Sequence, residues 1–286
     1  AVAMDPRTGE ILALVSLPSF DPNLFVNGIS HADFRALNDN PSRPQFNRAV
    51  LGGVAPGSTL KPFLALAGLD SGVRRPEDRT LSTGMFHLPG TRRGWGDSHR
   101  GGHGWTDARK SIADSVNTYY YKLAVDMGIA RIDEYLGRYG FGQASGIDLA
   151  GENPGILPNP AWKLKNRKER WFPGDTVNMS IGQGDWKVTP LQLVRGTGAL
   201  ADAGQLRRPH VVEGRRERFD APWTPVPQPA PSVISERADH LQVVREGMVS
   251  TVHGPGGTAR HIGVGIPYRI AGKTGTAQVV SRRGTA

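Results

Sequence analysis

Three short runs of residues can carry out acyl chemistry together. Ser58-Thr59-Leu60-Lys61 places a hydroxyl and an amine three residues apart. In a helix that spacing sets both side chains on one face, one turn apart. Ser115-Val116-Asn117 adds a second hydroxyl and a carboxamide, and Lys273-Thr274-Gly275 a second amine. An acyl transfer needs a nucleophile, a base to take its proton, and donors for the developing oxyanion. Ser58 offers the nucleophile. Lys61 can act as base only when its amine is neutral, and burial beside another cation lowers a lysine pKa. Lys273 can be that cation, Ser115 can relay a proton between the two lysines, and Asn117 can hold a substrate amide.

The residues around these runs agree with that chemistry. Pro56-Gly57 is a turn signal just ahead of Ser58. Pro62 is tolerated only near a helix start, and the apolar run Phe63, Leu64, Leu66, Ala67 and Leu69 follows it. Ser58 is therefore expected at a helix N-terminus, where free N–H groups and the dipole favour an anion. Ser115 and Asn117 fall in a break between two expected helices. Tyr268-Arg269-Ile270-Ala271 precedes Lys273 and reads as an edge strand, with Gly275 letting a peptide backbone approach closely.

Each run has a plainer reading when taken alone. An S-x-x-K is commonly a solvated helix start, and Ser115 would serve as a helix cap. Gly272-Lys273-Thr274 resembles the tail of a phosphate loop, G-x-x-x-x-G-K-T. That loop needs glycine at position 267, where this chain has Pro267. It also needs a following helix, whereas Gln278-Val279-Val280 reads as strand. The nucleotide reading fails on both counts.

The chain has 286 residues, enough for one large domain or two small ones. It has no cysteine, which excludes disulfides and cysteine metal sites. No apolar run approaches the roughly 18 residues of a spanning helix, and Ala1-Val2-Ala3-Met4-Asp5 lacks the basic start and apolar core of a signal peptide. A targeting segment of an exported parent is expected outside this chain. The net charge of +9 suits an anionic polymer, an anionic membrane surface or nucleic acid. Its basic residues are scattered, with clusters at Lys163–Arg170 and Arg215–Arg218, and no nucleic-acid motif accompanies them. The first cluster reads as a solvated surface segment.

The order of expected elements is mixed. Val2–Met4 and Ile11–Val15 flank the turn-rich Asp5–Glu10 and read as a hairpin. Helices are expected over His31–Leu37, Thr59–Ser71, Asp107–Asp114, Thr118–Met127 and Arg131–Tyr139. Residues 151–175 read as a long loop. Thr189-Pro190-Leu191-Gln192 is a helix start, with Thr as cap, Pro first and Gln third, and that helix ends at Gly204. Pro222 to Pro231 reads as a crossing segment, and Ser235 opens a last helix that ends near His253-Gly254. No internal repeat is visible. Strands at both ends and helices between them predict an α/β (α+β) fold, one antiparallel sheet flanked by helices.

The three motifs together mark serine β-lactamases and penicillin-binding proteins. The longer stretches Pro56–Pro62, Ser115–Tyr121, Asp126–Ile129, Gly146–Leu149, Gly174–Thr176, Ile181–Gly184 and Ala271–Val279 resemble the transpeptidase domain of class B penicillin-binding proteins. Gly102-His103-Gly104 and Trp171…Gly174-Asp175-Thr176 resemble its elongation-specific branch. The resemblance spans nearly the whole chain. It implies a peptidoglycan D,D-transpeptidase on the periplasmic face of the bacterial inner membrane, trapped covalently by β-lactam antibiotics. Peptidoglycan stem peptides would be its substrates, and the glycosyltransferase of the rod-elongation machinery a partner. By motif, Ser58 would be the nucleophile and Lys61 its base, with Ser115 and Asn117 as the second motif. Lys273, Thr274 and Thr276 would bind the substrate carboxylate beside Gly275, and the N–H groups of Ser58 and Thr276 would form the oxyanion hole.

The chain departs from the family in three ways. Some relatives carry aspartate where this chain has Asn117. Some members of the branch hold zinc with two Asp, one His and one Cys; here Asp97 and His103 remain, while Ser82 and Val116 replace the other ligands. His99 could substitute, but two ligands make a poor zinc site, so no metal is expected. Finally, the family domain begins earlier, with an anchor and a pedestal. It continues past the K-T-G strand with further strands and a C-terminal helix. Residues 1–286 are thus expected to be one domain incomplete at both ends, with an unpaired strand edge and poor stability or activity on their own. Two rival readings use the same trio. A serine β-lactamase would need a group that activates water, such as Glu152 or Glu169. A penicillin sensor would acylate without cross-linking.

Overall fold

The computed structural model describes residues 1–276. The predicted opening hairpin is present: β1 (Val2–Met4) pairs antiparallel with β2 (Ile11–Leu14), Val2 opposite Leu14. Helix α1 (His31–Asn38) starts at Ser30, whose hydroxyl accepts from the Asp33 N–H. A 3₁₀ turn over Gly57–Leu60 then leads into α2 (Lys61–Asp70). This helix is apolar on every side and is buried from Lys61 to Leu69, as such a helix must be.

Two ladders follow, one nested inside the other. β3 (Thr80–Ser82) pairs with β6 (Gly104–Thr106), and β4 (Met85–His87) pairs with β5 (Gly94–Gly96) within the loop between them. Helix α3 (Ala108–Ala113) is capped by Asp107, and α4 (Asn117–Met127) and α5 (Ile129–Gly137) follow. Close packing of α2 on α4 relies on Gly68, where an added Cβ would lie 2.7 Å from Leu123 Cδ1. The core that these helices bury continues into an aromatic cluster. Phe63 meets Tyr139 and Phe141 at ring centroid distances of 4.9 and 5.3 Å, and Phe141 meets Trp186 at 5.9 Å.

Residues 151–175, expected as one loop, contain two helices. α6 (Pro160–Arg167) is capped by Asn159, whose Oδ1 accepts from the Trp162 N–H. α7 (Pro173–Met179) has Asp175 accepting from the Phe172 N–H. Both begin with proline at the first position, a start signal that the charged and glycine-rich surroundings obscured. The cluster at 163–170 is not wholly solvated either. Lys163 is buried and pairs with Asp175 at 2.7 Å.

The predicted start at Thr189 is present as a reciprocal cap of α8 (Pro190–Ala201). Thr189 Oγ1 accepts from the Gln192 N–H, and Gln192 Oε1 accepts from the Thr189 N–H. A second nested pair of ladders follows, β7 (Gln205–Leu206) with β10 (Ser232–Val233), and β8 (Gly214–Arg215) with β9 (Thr224–Pro225). Helix α9 (Ala238–His253) begins three residues after Ser235, because the Ser235 hydroxyl is spent on the Arg237 N–H in the preceding turn.

The mixed α and β class is borne out, but the single sheet is not found among the described residues. Their strands form separate two-stranded antiparallel ladders. The expected strand before and through Lys273 is also absent there. Its backbone N–H groups bond elsewhere: Ile270 donates to His253 Nε2 and Gly272 to the Met248 carbonyl of α9. Gln278-Val279-Val280, read as strand, lies outside the described residues. Among the described residues no helix is long and apolar enough to cross a membrane.

Thr189→Ala removes the hydroxyl half of the α8 capping box while leaving Gln192 in place. Urea denaturation should show a loss of about 1 kcal/mol, the usual cost of deleting a hydroxyl cap.

Candidate active site

The first motif is positioned by the 3₁₀ turn that opens α2. Gly57 has φ +55°, a left-handed value that favours glycine, and an added Cβ would strike the Thr276 carbonyl oxygen at 2.4 Å. Its N–H donates to the Gly182 carbonyl. Ser58 follows, half-buried, on the wall of a cleft of about 540 Å³. Lys61 lies one turn on as the first residue of α2 and is fully buried.

The Lys61 amine is held by the second motif. Nζ donates to the Ser115 carbonyl at 2.6 Å, to Ser115 Oγ at 3.2 Å and to Asn117 Oδ1 at 2.7 Å. Ser115 has φ +57°, rare for a residue with a side chain, and both its carbonyl and its hydroxyl reach the amine. Asn117 Nδ2 donates to the Gly96 carbonyl at 3.3 Å, so the carboxamide is held at both ends. Ser115 therefore contacts the lysine and caps no helix, and the residue before α4, Val116, has no capping side chain.

The third motif closes the site. Lys273 Nζ donates to Ser115 Oγ at 2.9 Å and to the Thr274 carbonyl at 2.9 Å. One hydroxyl thus lies between the two amines. Burial drives the Lys61 pKa well below the ordinary lysine value, the charge of Lys273 adds to that, and Asp97 opposes it. Burial alone lowers Lys273 to about 8.

Ser58, Ser115, Asn117, Thr274, Gly275 and Thr276 line this one cleft, with Lys61 and Lys273 meeting at Ser115, and two details of the arrangement stand out. Lys61 directs its hydrogen bonds to Ser115 and Asn117, and none joins it to Ser58 among the described residues. Gly275 was expected to admit a substrate backbone. Its closest contact here is with the turn that carries Ser58, since an added Cβ would lie 2.6 Å from Thr59 Cγ2 and 3.2 Å from the Pro56 carbonyl oxygen.

Sequence reasoning missed three further contributors to the cleft. Gln183 Nε2 donates to the Thr276 carbonyl at 3.2 Å, and Thr258 Oγ1 lies 2.7 Å from Thr274 Oγ1. Gln183 stood inside the Ile181–Gly184 stretch but was given no role, and Thr258 had only its glycine-rich surroundings to mark it. Ser98 lines the same cleft.

The residues at the zinc position of some relatives do not fit a zinc ion here. Both oxygens of the enclosed Asp97 carboxylate already accept hydrogen bonds: Oδ2 from Ser82 Oγ and the Thr118 N–H, Oδ1 from the Asn117 and Ser98 N–H groups. Burial would raise its pKa, but donors from Thr118, Ser82 and Asn117 outweigh that and hold it at about 2. His103 Nε2 lies 2.9 Å from Ser98 Oγ, and Val116 offers no donor atom. His99 Nδ1 faces the Gly102 carbonyl.

Residues 1–286 match the family model of the penicillin binding protein transpeptidase domain. The chain belongs to that family. It is 45% identical over 281 residues to the peptidoglycan D,D-transpeptidase MrdA of Acinetobacter baumannii, covering 98% of this chain and 41% of that protein. The solved structure of Pseudomonas aeruginosa PBP2 in complex with WCK 5153 superposes with a TM-score of 0.88 at 42% identity, covering 97% of this chain and 62% of that one. Helicobacter pylori PBP2 in complex with MreC gives a TM-score of 0.86 at 31% identity, covering 97% and 50%. These relatives bear out the branch that the motif contexts resemble. The chain spans less than half the length of the curated relative.

The transpeptidase fold seats the K-T-G segment directly on the serine turn, and this contact is testable. Gly275→Ala should slow acylation by a fluorescent penicillin about tenfold or more, an order set by overpacking of one methyl in a tight contact. Adding Thr59→Ser, which removes the Cγ2 atom but keeps the hydroxyl, should restore much of the rate.

Proposed function

We propose that this chain is the acyl-transfer unit of a peptidoglycan D,D-transpeptidase. The observation that carries the reading is the placement of Ser115 Oγ between the Lys61 and Lys273 amines, 3.2 and 2.9 Å away, beside a cleft lined by Ser58. A lysine kept largely neutral by burial beside a second cation is a general base suited to neutral pH.

In the first step Ser58 Oγ attacks the carbonyl of the penultimate D-alanine of a stem peptide. Its proton passes to the Lys61 amine, and the oxyanion is met by the N–H groups of Ser58 and Thr276. The C–N bond breaks and the leaving amine of D-alanine takes up a proton, which Ser115 can relay between the lysines. An amine of a neighbouring strand then attacks the ester and releases Ser58 with its proton restored. Lys273, Thr274 and Thr276 hold the terminal carboxylate, and Asn117 the peptide amide. A β-lactam enters the same way, but its opened ring stays attached and the ester persists.

A water-activating role for the two glutamates weighed in the sequence is poorly supported. Glu152 accepts from the Ser145 and Gly146 N–H groups, and Glu169 faces Lys163 at 3.5 Å. Residues 1–286 are read as one transpeptidase domain. Peptidoglycan stem peptides and β-lactams are its small partners, and the rod-elongation glycosyltransferase its protein partner, at the periplasmic face of the inner membrane. The MrdA relatives support the substrate, and the PBP2 complex with MreC supports assembly with a protein partner.

The first test is intact-protein mass after brief exposure to benzylpenicillin. A persistent adduct on the parent and none on Ser58→Ala is expected. An adduct that turns over would favour a β-lactamase, and no adduct on the folded parent would reject the reading.

The pH profile of the acylation rate should be a bell. Its acid limb comes from protonation of Lys61, whose pKa is lowered. Above about pH 8 Lys273 loses its proton, so the carboxylate loses its cation and the rate falls. Lys273→Arg keeps the charge at all such pH values and should remove that alkaline limb, even if the maximal rate drops.

A further inference from the structure

Helix α4 carries Asn117 at its first position, yet the residue before it cannot cap it. Val116 is fully buried and apolar. The first N–H groups of a helix have no partner within it, and an unpaired buried donor is costly. Here the partner comes from twenty residues earlier. Asp97, on the loop after β5, accepts from the Asn117 N–H at 2.7 Å and from the Thr118 N–H at 3.0 Å, one on each carboxylate oxygen.

That carboxylate is itself pinned from the other side. Ser82 Oγ on β3 donates to it at 2.7 Å, and the Ser98 N–H donates at 2.7 Å. Ser82 Oγ in turn accepts from the His103 N–H at 3.0 Å, just before β6. The Asp97 N–H bonds to the Gly84 carbonyl. The adjacent Gly96 carbonyl accepts from Asn117 Nδ2 and from the Tyr121 hydroxyl. The arch of β3 to β6 and the first turn of α4 are thus tied through one carboxylate. The Asn117 side chain, set by that tie, grips the Lys61 amine.

We propose that Asp97 is a positioning residue for acyl transfer, its carboxylate fastening the β3–β6 arch to the start of α4 by hydrogen bonds and so fixing Asn117 and Ser115 around Lys61 without a metal ion. The inference rests on the reading of Ser58 and Lys61 given above. It assigns Asp97 no contact with substrate. Asparagine at this position would keep the shape but turn an NH₂ group toward an N–H donor, while Ser82→Ala would remove one support and leave both helix bonds in place.

The test is stopped-flow acylation of the protein by a fluorescent penicillin, separating the dissociation constant of the first complex from the acylation rate constant. Asp97→Asn should lower the rate constant tenfold to a hundredfold, on the order expected when a charged hydrogen bond becomes a repulsive contact. The dissociation constant should change by a smaller factor, through Asn117 alone, because the K-T-G residues are untouched. Ser82→Ala should lower the rate constant by a smaller factor, about two- to fivefold. Extended dialysis against a chelator should leave the parent's rate constant unchanged. A parental rate constant in Asp97→Asn, or in Ser82→Ala should the first variant not fold, overturns the proposal. So does a loss on chelation that zinc restores. An absent adduct on the parent would instead reject the transpeptidase reading, so the two failures are distinguishable.

Discussion

A lysine amine closed off from water must be held by partners that do not force it to stay charged. Lys61 is fully buried, and the groups that touch its Nζ are a carbonyl, a hydroxyl and a carboxamide. An ionised partner in contact would raise the amine's pKa and leave less of it neutral. An isolated buried ammonium would be several kcal/mol unfavourable, so the group resolves the conflict by giving up its proton more readily. Much of the local structure follows from this constraint. It accounts for a lysine at the start of a wholly apolar helix. It also fits the left-handed Ser115, which offers both carbonyl and hydroxyl to one atom, and the uncharged asparagine beside it. Asp97 lies behind that asparagine, with its own oxygens engaged by backbone donors and the Ser82 hydroxyl.

The second amine completes the electrostatics. Lys273 shares the Ser115 hydroxyl and disfavours the charge on Lys61, yet is itself only moderately depressed. Two amines of unequal proton affinity joined through one hydroxyl make an arrangement in which one can be neutral while the other remains a cation. The first suits proton abstraction, and the second suits a carboxylate. The neutral state is not available near neutral pH to a lone lysine in water, where both would be charged. The fold creates the inequality chiefly through burial, since Lys61 is fully enclosed while Lys273 is only half-buried, and the charge of Lys273 adds to it.

The chemistry of this site was more legible than its scaffold. Ser58, Lys61, Ser115, Asn117 and Lys273 stood in local patterns whose residue types have few other joint uses, and their neighbours, Pro56-Gly57 and Pro62, announced a turn and a helix start. The Thr189 cap was readable because the bond it makes is only three residues long. What escaped was non-local. The capping of α4 by Asp97 spans twenty residues, and the contact of Gly275 with Thr59 spans more than two hundred. No window along the chain reports either. The strand expected through Lys273 failed for a related reason. A β-pattern specifies a face but not a partner, and here α9 takes the hydrogen bonds that a neighbouring strand would have taken. The helices within 151–175 were hidden differently, by charge and glycine that resemble a loop until Asn159-Pro160 is read as a cap and first turn.

Packing of α3 against α9 has a mechanical side. Gly247 of α9 leaves room for only the Arg109 carbonyl and the Ile112 side chain of α3, each 3.0 Å from where a Cβ would sit. The C-terminal end of α3 leads directly into Ser115, and α9 holds the approach to Lys273 through Met248 and His253. Ser115 and Lys273, the two halves of the proposed proton path, are therefore bolted to the same pair of rods. With so little clearance between them, a slide of one rod along the other would move Ser115 and Lys273 apart at once. The spacing of Ser115 and Lys273 is in this sense a gauge length of the helix pair, set some distance from the cleft beside it.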